Sequence, residues 1–486
     1  MNTRHLSPLL ALFTAGLLAG SASADTLLVK NGLFITMKAG QETPFVGYMT
    51  VADGRITAVT AGEAPAGLTA DRVLDAGGKF IAPGFISTHS HLADSPLRGV
   101  GHTQELAGWG RARNQFLQYT TPEDLYWFVL HGCLDYIRSG VTTAYDFTNA
   151  GTITTRVEPG QVAPPPIVKP GPYVEEQIQA KIDAGLRFVD SIGLPPVGTD
   201  DEVVAKVGEI IEHANKTWGK NPLFLKMAIS GQIGNSPTKA KAFLEARVMK
   251  TYKLINHSHL MESAAAARDQ QPKFYWYEEA GVLGPDLLFA HFIHTLPDML
   301  ARAGKAGSGM SWQPWPNGRL ADGIVDVPTY RAFGVKISMG LDNQNSGDTC
   351  DPFTNMRCGL AIIRGMYTDA KAMPVYDILY FHTLAGAEVL QIADKVGSLE
   401  VGKFADFLVV DPFDPDTGPL HDPLATYVLA CGQRNLKQVY IGGKLAADGT
   451  TNLTFDSVQA GKEVRTRVSR IEGLLKEKTD PMSTFH

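Results

Sequence analysis

Phe80-Ile81-Ala82-Pro83-Gly84-Phe85-Ile86-Ser87-Thr88-His89-Ser90-His91 is an apolar run that ends on two imidazoles. Side chains two apart on an extended strand share a face, so His89 and His91 can point the same way and reach one metal ion. Such a pair is moderately specific, because two histidines at a strand end also serve as core or surface residues.

Three later apolar runs also stop on reactive groups. Lys253-Leu254-Ile255-Asn256-His257-Ser258-His259-Leu260-Met261-Glu262 offers His259 as a third imidazole, with His257 as the competing ligand. Glu262 follows, free to carry a proton. Leu287-Leu288-Phe289-Ala290-His291-Phe292-Ile293-His294 again ends on histidine, and Val335-Lys336-Ile337-Ser338-Met339-Gly340-Leu341-Asp342 ends on a carboxylate that can bind a metal and accept a proton.

Around these runs, strand-like and helix-like segments alternate from about residue 83 to 393, the pattern of parallel βα units. One unit is explicit. Thr121 can cap a helix with Pro122 in its first position and Asp124 in its first turn, and Leu125, Phe128, Val129, Cys133 and Ile137 recur at helical spacing. Gly140 ends it, and residues 141–146 read as the next strand. Repeated about eight times, this predicts an α/β chain built on a (β/α)8 TIM-type barrel, with catalytic groups at the C-terminal strand ends.

The flanks read as a β layer. Residues 27–29, 33–37, 48–51 and 56–59 are short β-type runs, with Asn31-Gly32 and Asp53-Gly54 as turn dipeptides. Residues 404–410 and 439–445, the latter enclosing Gly442-Gly443, form a second set. Both chain ends are therefore expected to build one small β-sandwich. The predicted division is a signal peptide (1–24), an N-terminal sandwich segment (25–82), the barrel (83–395), a C-terminal sandwich segment (396–450) and a charged helical tail (451–486).

The signal peptide rests on Arg4, an apolar run from Leu9 to Leu18, and Ser21-Ala22-Ser23-Ala24, whose small residues suit cleavage before Asp25. The run is shorter than the ~20 residues a membrane span needs, so a periplasmic or secreted protein is expected. There Cys350 and Cys358 are the plausible local disulfide pair, with buried free thiols the equal alternative for all four cysteines. With 486 residues, 44% hydrophobic and 19% charged, the chain can bury a large core and is not disordered by composition. A formal charge of −6 without a basic stripe excludes a nucleic-acid partner.

In this order the four segments resemble the amidohydrolase superfamily, and within it the atrazine/triazine hydrolase and cytosine deaminase branch. The resemblance takes in Ala82-Pro83-Gly84-Phe85-Ile86, Arg98-Gly99, His259-x-x-Glu262, and the run from Val396 to Asp406. It implies that His89, His91, His259 and Asp342 hold one divalent ion, zinc first, with iron, manganese and cobalt also suited to three imidazoles and a carboxylate. It also implies Glu262 as proton shuttle and His291 as the imidazole at the nucleophilic water, so that Glu262, His291 and Asp342 are the catalytic groups.

Trp312-Gln313-Pro314-Trp315-Pro316-Asn317-Gly318-Arg319 is similar to the pocket segment of the molinate and phenylurea hydrolases. Trp312, Trp315, Asn317 and His294 are therefore candidate substrate contacts, with core packing the alternative for the tryptophans. His102 is a further pocket candidate. Deaminases of the branch usually carry a Pro-His pair before the third metal strand, where this chain has Met227-Ala228-Ile229-Ser230-Gly231-Gln232. The expected activity is thus hydrolysis of an amide, urea or carbamate in a small, partly apolar or aromatic substrate. Deamination of an amino-heterocycle is the alternative, and a catalytically silent binding protein the rival of another class. Lys226, if carbamylated, would make the site binuclear. His131, His213 and His382 are expected in ordinary surface or capping roles, and the expected partners are a small-molecule substrate and further copies of the chain.

Overall fold

The computed structural model describes residues 25–153 and 166–479; the expected signal peptide lies outside them. Eight strands, β1 (Phe85–Ser87), β2 (Val141–Thr148), β3 (Arg187–Gly193), β4 (Phe224–Gly231), β5 (Asn256–Leu260), β6 (Leu287–His291), β7 (Gly309–Trp312) and β8 (Lys336–Met339), pair in chain order. All seven pairings are parallel. The first and last strands close the barrel through Thr88 N donating to Met339 O at 3.1 Å and Asp342 N donating to His89 O at 3.0 Å. The closing seam therefore carries two of the expected metal ligands side by side.

The helices follow from local chemistry. In α1 (Pro122–Arg138), the Thr121 hydroxyl accepts from Asp124 N and the Asp124 carboxylate accepts from Thr121 N at 2.7 Å, which satisfies two donors of the first turn. Gly140, at φ +88°, turns the chain into β2. Helix α2 (Pro352–Tyr367) follows β8, and the tail is helix α3 (Ser457–Thr479), whose Arg467 and Arg470 pair with Glu123 and Asp124 at the start of α1. Among the described residues, no helix is long and apolar enough to cross a membrane.

The β unit from both chain ends is a single nine-stranded sheet. Phe80–Pro83 pairs with Phe407–Val410 antiparallel, Ile81 opposite Val409, so the two ends meet in its middle. Leu27, Val29, Phe34, Met49, Ile81 and Phe407 form its own apolar core. Asp53-Gly54 and Gly442-Gly443 are hairpin turns with positive φ at both residues. Asn31-Gly32 is not a turn: Thr26–Phe34 is one strand, and Asn31 at φ +56° forms a bulge that shifts the ladder between Val29 and Gly32. The opening run is likewise two strands, Phe80–Pro83 in this sheet and β1 in the barrel. They separate at Gly84, where a Cβ would lie 2.1 Å from Thr142 Oγ1.

Barrel and sheet are locked by Arg187 at the start of β3, whose Nε and Nη2 donate to the Asp406 carboxylate at 2.7 and 2.8 Å. The guanidinium also lies over the Phe404 ring at 3.8 Å. Asp406→Ala should destabilise the fold by about 3–5 kcal/mol, because it leaves a buried cation without its partner. A clear drop in thermal unfolding midpoint is the expected result, and an unchanged midpoint would show that the pair does not hold the two units together.

The four cysteines are free thiols. Cys350 meets Ser139 Oγ at 3.3 Å rather than Cys358, which answers the pairing expectation in favour of free thiols.

Candidate metal centre and active site

The expected ligands converge at the C-terminal mouth of the barrel. His89 and His91 leave β1, His259 points inward near the end of β5, His291 ends β6, and Asp342 follows β8 across the seam. Met261, His291, Phe292 and Asp342 have φ of +53°, +63°, +50° and +57°. Each such residue stores roughly 1–3 kcal/mol of backbone strain that its surroundings must hold. For Asp342 the hold is visible: Ser87 Oγ accepts from Leu341 N at 3.1 Å, and Tyr136 OH donates to Asp342 O at 3.1 Å.

His89 Nε2 lies 3.4 Å and His91 Nε2 3.7 Å from Asp342 Oδ1. Ligands about 2.0 Å from a tetrahedral ion stand about 3.3 Å apart, so this spacing is that of a ligand pair. One ligand atom each of His89, His91 and His259 falls within 4.8 Å of the others, and the same holds for His89, His291 and Asp342. Neither ring nitrogen of the buried His89 has a hydrogen-bond partner. The donor set thus fits a divalent ion.

Electrostatics agree with that use. Burial pushes the His89, His91 and His259 pKa values down, for His91 and His259 well below the ordinary range, so the rings are neutral donors. Burial pushes Asp342 up, but the contact with His89 and the surrounding imidazoles of His291 and His91 outweigh it and hold the carboxyl below its usual range. Neutral imidazoles and an ionised carboxylate are the states a metal requires.

Beside this cluster, Glu262 Oε1 lies 3.4 Å from His291 Nε2, both side chains buried. His291 Nδ1 is 2.8 Å from Asn317 Oδ1. The amide oxygen can only accept, so Nδ1 carries the hydrogen and Nε2 faces Glu262. Asn317, expected as a substrate contact, is thus placed to orient His291. Asn317→Ala should keep the metal and lower turnover by roughly 10- to 100-fold, as for other groups that orient an active imidazole. Unchanged turnover at full metal content would remove Asn317 from the site.

Other expected residues lie elsewhere. His257 sits one layer deeper, at the level of Ser230, its ring against Tyr145 and Phe147, and it joins no ligand group among the described residues. Lys226 lies early in β4, where burial first and then Lys395 lower its pKa to about 8 while Asp286 and Asp394 oppose; these groups mark the far end of the barrel from the imidazoles. It is not a bridging ligand. Trp312 is core: Ser311 faces into the barrel, bonded to Thr88, while the Trp312 indole packs outward on Gly359 of α2. Trp315, 39% exposed, donates from Nε1 to Gly347 O at 2.7 Å and so ties down the loop after β8. His294 Nε2 bonds Asp322 O at 2.6 Å, and His102 is exposed. His213 is exposed, and His131 Nδ1 meets Ser95 Oγ at 3.0 Å. His382 is a helix cap as expected but fully buried, bonding Ile86 O from Nδ1 at 3.0 Å.

Two neighbours were not anticipated. Phe147 stacks on His91 with ring centroids 4.7 Å apart, and its place two residues after Tyr145 on a strand was a readable signal. Asp322 brings a carboxylate oxygen to Glu262 and His291 from the loop after β7, with no motif to announce it.

Comparison with known proteins shows where this fold recurs. A 5-methylthioadenosine/S-adenosylhomocysteine deaminase of Syntrophobacter fumaroxidans is 27% identical over 92% of this chain and 98% of its own. An adenosine deaminase from Xanthomonas campestris with bound zinc shares the fold at a TM-score of 0.77 and 22% identity, covering 92% of this chain and 98% of that one. The atrazine chlorohydrolase of Arthrobacter aurescens TC1 complexed with zinc superposes at 0.73, with 18% identity and coverage of 91% and 100%. The sequence pattern of the amidohydrolase family runs through residues 80–446, from the strand before His89 to the sheet that closes the chain. The family pattern covers most of the chain and the barrel is shared with the solved structures, and the chain belongs to the amidohydrolase family.

Proposed function

We propose that the protein hydrolyses an amide, urea or carbamate C–N bond in a small, partly apolar or aromatic molecule, with one zinc ion held by His89, His91, His259 and Asp342. One observation carries this reading: three imidazoles kept neutral by burial and one ionised carboxylate meet beside a buried Glu262–His291 pair. A divalent ion held there supplies water activated near neutral pH and polarises the group to be cleaved. Glu262 Oε1 takes a proton and delivers it to the leaving nitrogen, which a poor amine leaving group needs. His291, oriented by Asn317, keeps Nε2 at that carboxyl. The complete donor set argues against a silent binding protein.

The mouth of β4 supports hydrolysis over deamination. It ends in Ser230-Gly231-Gln232, with the Ser230 hydroxyl bonded to Ser191 at 2.8 Å, and offers no imidazole to read a heterocycle. The likeness to deaminases along most of the chain favours deamination as the second reading. A panel of amides, ureas, carbamates and amino-heterocycles separates the two. Release of the larger amine is the expected result, and ammonia from an aminated ring alone would transfer the reading to deamination.

We also propose that the protein is exported, supported by Arg4, the apolar run after it and Ala22-Ser23-Ala24. The mature chain should begin at or near Asp25 outside the cytoplasm; an intact Met1 in soluble cytoplasmic material would contradict this.

A further inference from the structure

We propose that Glu262, His291 and Asp322 form a second, weaker divalent-cation site whose occupation inhibits the enzyme. One ligand atom from each residue lies within 4.8 Å of the other two, and all three residues are buried. His291 Nε2 has no hydrogen-bond partner, and Asn317 holds the other ring nitrogen, so Nε2 is the atom aimed into the group. Its 3.4 Å separation from Glu262 Oε1 matches the ~3.3 Å expected between two ligands of one tetrahedral ion.

The charge pattern points the same way. Two carboxylates and one imidazole nitrogen brought this close offer a cation three donor atoms. Asp322 is held in that position by its backbone: its N–H donates to Asn317 O at 2.9 Å, and its carbonyl is bonded by His294 Nε2 at 2.6 Å. An imidazole with two carboxylates suits zinc, cobalt or manganese.

The consequence for activity rests on the reading of Glu262 as proton carrier. A carboxylate that ligates a cation cannot deliver a proton, so excess metal should switch the enzyme off while leaving the first ion in place. His291 also stands within reach of His89 and Asp342, so the two sites share a wall.

The test is titration of the metal-depleted, tag-free protein with Zn²⁺ by calorimetry and with Co²⁺ by visible absorption, with turnover followed alongside. The wild type should bind two ions in sequence, activity rising with the first and falling with the second. Asp322→Asn and Asp322→Ser should keep the first ion and weaken the second by about 100-fold or more, beyond the loss typical of an outer-shell partner. Their activity should rise and then stay level. Should circular dichroism show those variants unfolded, Glu262→Gln should show the same binding pattern. A wild type that binds one ion, or a second ion unaffected by these substitutions, would overturn the proposal. A wild type that binds no ion would instead refute the metal-dependent reading itself.

Discussion

His89→Ala and Asp342→Ala are each expected to purify without the tightly bound ion and to lose at least about 10³-fold in turnover, since metal activation contributes several kcal/mol and each 1.4 kcal/mol is tenfold. His89 stands at the centre of the cluster: its ring centroid is 5.0 Å from that of His91, 4.7 Å from His259 and 5.1 Å from His291, and its Nε2 faces Asp342. Removing it takes away the imidazole that contacts His91, His259, His291 and Asp342 alike. Removing Asp342 takes away the anion that offsets the charge of the ion. Elemental analysis and turnover of the same preparations check both halves. Full turnover in either variant after exhaustive chelation would contradict the assignment of the site.

Glu262→Gln is expected to behave in the opposite way with respect to metal. Glu262 belongs to the His291 pair and not to the imidazole and Asp342 set, so the variant should keep the tight ion and a normal fold. Turnover should fall by roughly 10²- to 10⁴-fold, the range of a general acid-base residue. Substrates with good leaving groups should suffer less, because they need less protonation in the transition state. Equal rates for variant and wild type on poor and good leaving groups alike would make Glu262 a bystander and pass the proton to His291 or Asp342.

The apolar runs ending on His89, His259, His291 and Asp342 were legible because strand periodicity and polarity both act locally. The same locality misled at Gly84 and at Asn31-Gly32. A continuous apolar run divides between two sheets in the first case, and a turn dipeptide is absorbed as a bulge in the second. Trp312 was legible as a large aromatic near the site, but the strand parity that sends Ser311 inward sends the indole to α2. His257 and His259 share parity, so their choice awaited the depth of each along the barrel. Asp322 was illegible: its approach to Glu262 depends on how the loop after β7 folds back through the Asn317 carbonyl, a tertiary fact without local trace. Lys226 illustrates the reverse. A lysine on a mid-barrel strand has the right residue type, but its position along the strand puts it at the wrong end.

The central claim is that one tightly held divalent ion sits among His89, His91, His259 and Asp342. Anomalous diffraction at the metal edge, from crystals of the protein as purified, tests it most directly. The account predicts one dominant peak in contact with those four side chains and no peak at Lys226. A dominant peak elsewhere, or none in crystals of protein that turns over at its full rate, would contradict it.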